Sequence, residues 1–276
     1  MKMQLLKEIS SLANWNNFNL RPFQNNISRF YSGFFIALTY LVPMQVSLTI
    51  VRYPKLFIPF AFLAMAILRL PLRVNKKISF FKLLGCGRNG TFDRIPDLQQ
   101  WGILAVFKNE NTGTDSKTLY GSFIKNWLRL FNCETWTILL NPIEGHGYWD
   151  GKEVFGTLQR NADHKGPVAI LTRATIRFNK LKYFWQHVVP VAAGMKNAKG
   201  FTHSVGIGEL PWLKQATFSI WESKEDMLDF AYGMKAHKDV IKKTREQQWY
   251  SEDMFIRFSI LSSNGSLKGI DPLKGK

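Results

Sequence analysis

Trp101-Gly-Ile-Leu-Ala-Val-Phe107 and Gln215-Ala-Thr-Phe-Ser-Ile-Trp221 are the two stretches on which the fold turns. Each reads as a strand, short, apolar and rich in β-branched and aromatic residues. Each also holds the same place in a series of elements that occurs twice. Ahead of the first stand a strand near 45–52, an apolar helix near 55–70, a strand near 78–84 and Gly85-Cys-Gly87, read as a glycine loop. Ahead of the second stand a strand near 167–176, a helix near 179–188, a strand near 200–206 and a second glycine loop, Gly206-Ile-Gly208. Behind them, a helix near 116–131 and a strand near 135–142 answer a helix near 224–247 and a strand near 254–261. Trp136-Thr-Ile-Leu-Leu140 aligns with Ile256-Arg-Phe-Ser-Ile260. Identities are few, and element order carries the repeat.

That order is β-α-β-β-α-β twice, the ferredoxin-like unit. Each unit makes a four-stranded antiparallel sheet with both helices on one side and one bare face. Packing the bare faces together closes a barrel whose apolar interior could hold a flat cofactor or a long apolar substrate. The expected class is α+β, tandem ferredoxin-like repeats forming a dimeric-type α+β barrel. The expected organisation is an Asn-rich extension over 1–42, a first half over 43–149 and a connection over 150–166. A second half over 167–262 and a tail over 263–276 complete it. Leu119, Phe123, Trp127 and Leu130 predict one buried helical stripe, and Ser223-Lys-Glu-Asp226 a capping box.

Composition bounds the function. The chain has 276 residues, 46% hydrophobic and 14% aromatic, which excludes a disordered chain and allows one large domain or two small ones. Two cysteines, Cys86 and Cys133, exclude a disulfide scaffold, a Cys-rich zinc site and a thiolate-held iron–sulfur cluster. They point to a reduced compartment, the cytoplasm. The 37 Lys and Arg against 20 Asp and Glu give a formal net charge of +17. Residues 1–97 hold 13 of the basic residues and only Glu8, Asp93 and Asp97 of the acidic ones. Basic residues bracket the apolar run Leu56–Leu68. This suits an anionic membrane surface on the inner face, or a solvated rim. Nucleic acid is disfavoured, because no zinc finger, KH loop or aromatic single-strand platform is present.

Neither apolar stretch reads as a spanning helix. Tyr31–Val51 is split by Pro43, and Gln45, Ser47 and Thr49 alternate with Val46, Leu48 and Ile50, a strand period. Leu56–Leu68 has 13 residues, too few to span, and suits a core helix or an interfacial segment. No secretory signal is read at the start.

The motifs are weighed one by one. Gly85-Cys-Gly-Arg-Asn-Gly90 fits the dinucleotide fingerprint, but Pro96 follows closely and no helix begins at the glycines, so a tight loop is the better reading. The five histidines form no metal-binding pair of zincin or di-iron type. Glu144-Gly-His146 and His164 read as loop and linker. His237 follows Met234 and precedes Val240 and Ile241 on one helix face. A neutral imidazole there could serve as a proximal haem ligand, or be a core histidine bonded to a backbone carbonyl. His203, on a strand beside the second glycine loop, is the competing ligand or a distal group. Arg173, in Leu171-Thr-Arg-Ala-Thr175, could pair with a propionate or face bound oxygen, or be a solvated strand residue.

Leu171-Thr-Arg-Ala-Thr-Ile-Arg177 and Gly206-Ile-Gly-Glu-Leu-Pro-Trp212 resemble the spheroidene monooxygenase family of carotenoid-oxygenating enzymes. The likeness extends through Phe81-Lys-Leu-Leu-Gly-Cys-Gly87, Gln215–Trp221, His237 and the segment Thr244–Phe258, roughly 44–262 of the chain. It implies oxygenation of an acyclic carotenoid at an end-group carbon with O2 and reduced ferredoxin or a similar donor, and it implies a haem. His237 is the ligand it carries over; the opposite wall, with Gly206, Gly208 and Arg173, is then read as the oxygen side of the cofactor. Other readings of the same barrel are a haem or carotenoid carrier without turnover, and a haem enzyme of another reaction type, such as a dehydratase.

Overall fold

The computed structural model describes residues 44–91, 93–108, 115–158, 162–233 and 235–274; at helix positions 189–193, 235–239 and 241 it describes the backbone alone. The predicted extension over 1–42 therefore lies outside the described residues. Strands are β1 (Gln45–Arg52), β2 (Ile78–Gly87), β3 (Pro96–Phe107), β4 (Glu134–Gly147), β5 (Val168–Ile176), β6 (Phe201–Leu210), β7 (Lys214–Trp221) and β8 (Tyr250–Gly265). Helices are α1 (Ile58–Ile67), α2 (Arg69–Val74), α3 (Ser116–Tyr120), α4 (Ser122–Leu130), α5 (Leu181–Met195), α6 (Lys224–Leu228) and α7 (Lys235–Glu246). A 3-10 turn, Lys55–Phe57, precedes α1, and a π-helical turn, Asp229–Gly233, joins α6 to α7.

The strands close a barrel in the order β1-β3-β2-β6-β7-β5-β8-β4, every pair antiparallel. Reading β4-β1-β3-β2 and then β6-β7-β5-β8 shows one ferredoxin-like order in each half, as the repeat predicts. The seams between halves differ. β4 and β8 pair from Trp136↔Gly265 to Gly147↔Met254, whereas β2 and β6 pair only at Gly85↔Gly208 and Cys86↔Ile207. Gly85–Gly87 and Gly206–Gly208 are thus strand residues forming a seam, which corrects the reading of both as loops.

The pleat sends alternate residues inward. Val46, Leu48, Ile50, Leu171, Val205, Ile207, Phe218 and Phe258 fill the interior together with Trp136. Trp149 at the end of the first half and Phe155 from the connection join that same core, as does Leu267 from the tail. The interior is therefore a packed core, and the expected apolar cavity is taken up by side chains. The polar alternation of β1 is buried as well. Ser47 and Thr49 face outward beneath α3, where both hydroxyls bond Tyr120 Oη, at 2.9 and 2.7 Å, and Thr49 also bonds Thr137 Oγ1 at 2.8 Å.

Gly121, at φ 92°, breaks the predicted 116–131 helix in two. The break resets the phase. Leu119, Ile124 and Leu128 turn to the core, while Phe123 and Leu130 are exposed, so the predicted stripe is only partly buried. The capping box holds: Ser223 Oγ accepts from the Asp226 amide at 3.0 Å.

Candidate functional site

The two sheets are covered differently on their outer faces. Over the first half, one continuous cluster joins Ile103, Ala105 and Leu139 of the strands to Ala61, Leu68, Ile124 and Leu128 of the helices. Over the second half the described side chains form two clusters, which share Val240. One joins Val168 and Ile170 to Met227 and Phe230, and the other joins Ala174 and Ile176 to Phe184, Trp185 and Trp249. Between them on β5, Thr172 faces outward and is exposed. Among the described side chains the helix layer leaves Thr172 open to solvent there.

The floor of the gap is one row across the sheet. Thr172 stands between Phe255 of β8 and Thr217 of β7, and Thr217 in turn pairs with Gly206 of β6. The Thr217 hydroxyl is buried and has no hydrogen-bond partner among the described residues. Gly206 ends the row because Thr91 lies over it, its carbonyl oxygen 1.8 Å from the point a Cβ would occupy. The loop after β2 thus walls one side, and Arg94 extends that wall by placing its guanidinium 5.5 Å from the Trp185 ring. Gly208 is likewise pressed by the carbonyl of Lys214. Both glycines predicted to bind a cofactor therefore have a packing requirement of their own, close approach of backbone.

α7 runs over this face, with Val240 packed against both clusters. His237 lies three residues before Val240 on that helix; its side chain is outside the described residues. The π-turn Asp229–Gly233 immediately precedes α7. Such turns are rare, re-phase the helix that follows, and gather at functional sites.

His203 and Arg173 lie on the inner face of the sheet. His203 is turned inward with Val205 and Ile207, edge-on to Trp136 at 5.5 Å between ring centres. Burial, with a smaller contribution from Lys268, brings its pKa down to about 4, so it is neutral at pH 7, and its buried Nε2 has no partner among the described residues. The sheet stands between His203 and α7. The bulge after Phe201 sets this phase: Phe201 packs on the outer face, while His203, Val205 and Ile207 turn into the barrel.

Arg173 is also inside, 1% exposed. Its Nη1 donates to Glu252 Oε1 at 2.5 Å and its Nη2 to Glu209 Oε1 at 3.1 Å, while the guanidinium lies 4.9 Å from the Trp149 ring. Lys82 joins Glu209 to Asp150, and Lys214 Nζ donates to Asp150 at 2.7 Å. Burial raises the Asp150 carboxyl, but the hydrogen bonds and charges of Lys214 and Lys82 outweigh it and hold it at about 2. The network plugs one barrel end and leaves Arg173 committed to carboxylates of its own chain.

Sequence reasoning missed Arg257. It alternates with Ile256 and Phe258, which are core, so strand period alone sends it to the outer face. It is buried there, with Nη1 on Glu144 at 2.5 Å and Nε without a partner among the described residues. A neighbouring row of the sheet thus carries a buried cation on the same side as the gap. Small floor residues, an unpartnered hydroxyl and a buried cation suit a flat acidic prosthetic group such as haem.

Three proteins of known name resemble the chain over most of its length. Spheroidene monooxygenase of Cereibacter sphaeroides is 34% identical over 198 residues, 71% of this chain and 60% of that protein. The chain thus aligns with about three fifths of that relative. Spheroidene monooxygenase of Rhodobacter capsulatus is 33% identical over 220 residues, 79% of this chain and 90% of the relative. That of Rubrivivax gelatinosus is 34% identical over 190 residues, 69% and 72% of the two chains. Among solved structures, an aldoxime dehydratase in complex with butyraldoxime superposes with a TM-score of 0.51 at 10% identity, covering 79% of this chain and 80% of that one. At that identity the likeness is one of fold. No protein-family model matches the chain.

Proposed function

The chain belongs to the spheroidene monooxygenase family, and from this we propose that it is a haem-dependent monooxygenase of an acyclic carotenoid or a similarly long apolar polyene. Its co-substrates would be O2 and electrons from a reduced ferredoxin-like donor. The observation that carries the reading is the exposed Thr172 on the outer sheet face, beside the helix that bears His237. When bound, haem supplies oxygen activation, and the protein supplies ligand, orientation and a dry site.

In this assignment His237 holds the iron from α7. Thr217 offers a polar contact of the floor, and Arg257, already paired with Glu144 through Nη1, has its Nε left to offer an anionic group. Phe255 and the two apolar clusters exclude water from the reacting carbon. The packed barrel makes the floor rigid, so its side chains hold their positions while the substrate is exchanged.

The test is spectroscopic and then kinetic. Protein purified with haem available should show a Soret band that is lost or displaced in His237→Ala. Turnover of an acyclic carotenoid should require O2 and a continuing supply of reductant. A protein with no Soret band overturns the haem assignment. Binding of the polyene without turnover would make it a carrier, and turnover without sustained reductant an enzyme of dehydratase type.

A further inference from the structure

The helix pair α1–α2 and its preceding turn form a 20-residue segment, Lys55–Val74, long and apolar enough to cross a membrane. Its packing shows that it does something else. Ala61, Ala64, Leu68 and Leu72 are buried along its whole length, in one cluster with Val51, Leu83 and Ile103 of the barrel. To span a bilayer the segment would have to leave that cluster and expose it. It therefore lies flat along the barrel.

Its opposite side has no such cover. Leu56 is 79% exposed, Leu70 67% and Phe62 50%, and Phe60, Leu63 and Val74 are exposed beside them. An aromatic chain continues the surface on to α4: Phe60 stacks on Phe131 at 4.6 Å, Phe131 meets Trp127 at 4.8 Å, and Trp127 meets the exposed Phe123 at 6.4 Å. An apolar patch of this kind marks an interaction site.

Charge identifies the occupant. Lys55, Arg69, Arg73, Lys76 and Lys77 are exposed around the patch, and Arg129 is exposed on α4. From Met44 to Phe92 the sequence holds eight basic residues and no acidic one. A second copy of the chain would bring like charge against like. The segment 1–43, with Lys2, Lys7, Arg21 and Arg29 against Glu8, is basic too. Leucine and phenylalanine side chains rimmed by Lys and Arg match an anionic bilayer, with the apolar groups among the acyl chains and the cations at the headgroups.

We propose that the outer face of α1, α2 and α4 is a docking surface for an anionic lipid bilayer, on which the helix pair lies in the interfacial plane. It deepens the functional reading, since a long polyene is a membrane solute, yet lipid binding is measured without turnover and stands or falls separately.

The experiment is sedimentation of the full chain with phosphatidylglycerol–phosphatidylcholine vesicles. Binding should be strong at low salt, weaken as salt is added, and be weak on phosphatidylcholine alone. Arg69→Gln with Arg73→Gln should lower the partition coefficient by about five-fold for each charge removed, about 25-fold together. Leu56→Gln, Leu63→Gln and Leu70→Gln combined should reduce it further while near-ultraviolet circular dichroism stays native. Wild-type protein that remains in the supernatant with anionic vesicles at low salt overturns the proposal. So do apolar variants that sediment like wild type while turning a dimer into a monomer, because a second copy then covers the face.

Discussion

Thr91 sits on Gly206 so closely that its carbonyl oxygen is 1.8 Å from where a Cβ would be. At Gly85, in the same seam, the nearest atom to such a Cβ is the Gly208 oxygen at 3.8 Å, an ordinary contact. Gly206→Ala should therefore cost about 1–3 kcal/mol through overpacking, whereas Gly85→Ala should change stability by less than about 0.5 kcal/mol. Urea unfolding of the two variants checks the contrast.

Thr172 is exposed at the opening between the two outer clusters. Filling that opening with Thr172→Trp should leave stability within about 0.5 kcal/mol and lower haem uptake. The measurement is Soret absorbance per folded protein against the thermal midpoint. Uptake equal to wild type would move the site elsewhere.

Arg173 and Arg257 are expected to separate by function. Arg173→Met leaves Glu209 and Glu252 without their shared cation. It should destabilise by about 3 kcal/mol, the lower end for a broken buried pair because the carboxylates keep some solvent. The haem spectrum of the folded fraction should not change. Arg257→Gln, on the outer face, should weaken haem retention, read as the rate of haem loss to an apo-globin acceptor.

His203 makes the fold sensitive to mild acid. Its folded pKa of about 4 lies below the unfolded value of 6.5. The unfolded chain therefore takes the proton first, and stability present above pH 6.5 is lost as the pH falls toward 4. Between pH 7 and pH 5 the loss should be roughly 2 kcal/mol. In His203→Leu that part of the pH dependence should vanish. A variant whose denaturation midpoint falls with pH as steeply as wild type would count against a buried neutral imidazole.

The depressed carboxylates act at lower pH with the same sign. Asp150, at about 2 against an ordinary 3.8, and Glu252, lowered by the Gly151 amide and Arg173 against its burial, favour the folded state above pH 4. That contribution should drain away between pH 4 and pH 2, and Lys214→Met should lessen it. Acid titration followed by circular dichroism, wild type against variant, resolves the two windows.

The repeat and the element order were legible in the sequence because strand and helix periods are local properties. The register between halves was not. Gly85-Cys-Gly87 looks like a turn until β6 is brought beside it, since pairing at a seam depends on residues 121 and 123 positions away. Face assignments failed where a single residue resets phase, as Gly121 does ahead of Phe123. The candidate arginine was missed for a different reason. Arg173 and Arg257 both sit in apolar strands, and only the direction of the pleat tells inside from helix side. His237 could be singled out from spacing, but the gap in the helix layer beside its helix is tertiary and has no local signature.

The unequal seams give the barrel a mechanical grain. The long β4–β8 ladder should act as a hinge and the two-pair β2–β6 contact as a latch. Thermal opening should begin at the latch, with the amides of Cys86 and Ile207 exchanging with deuterium well before those of Leu140 and Phe258. Because Thr91 and Arg94 reach from the latch over the outer face of the second sheet, each opening of the latch also lifts one wall of the gap over Thr172. Loading of a flat group too broad for a narrow mouth then needs no separate lid, and its rate should follow the breathing of the barrel itself.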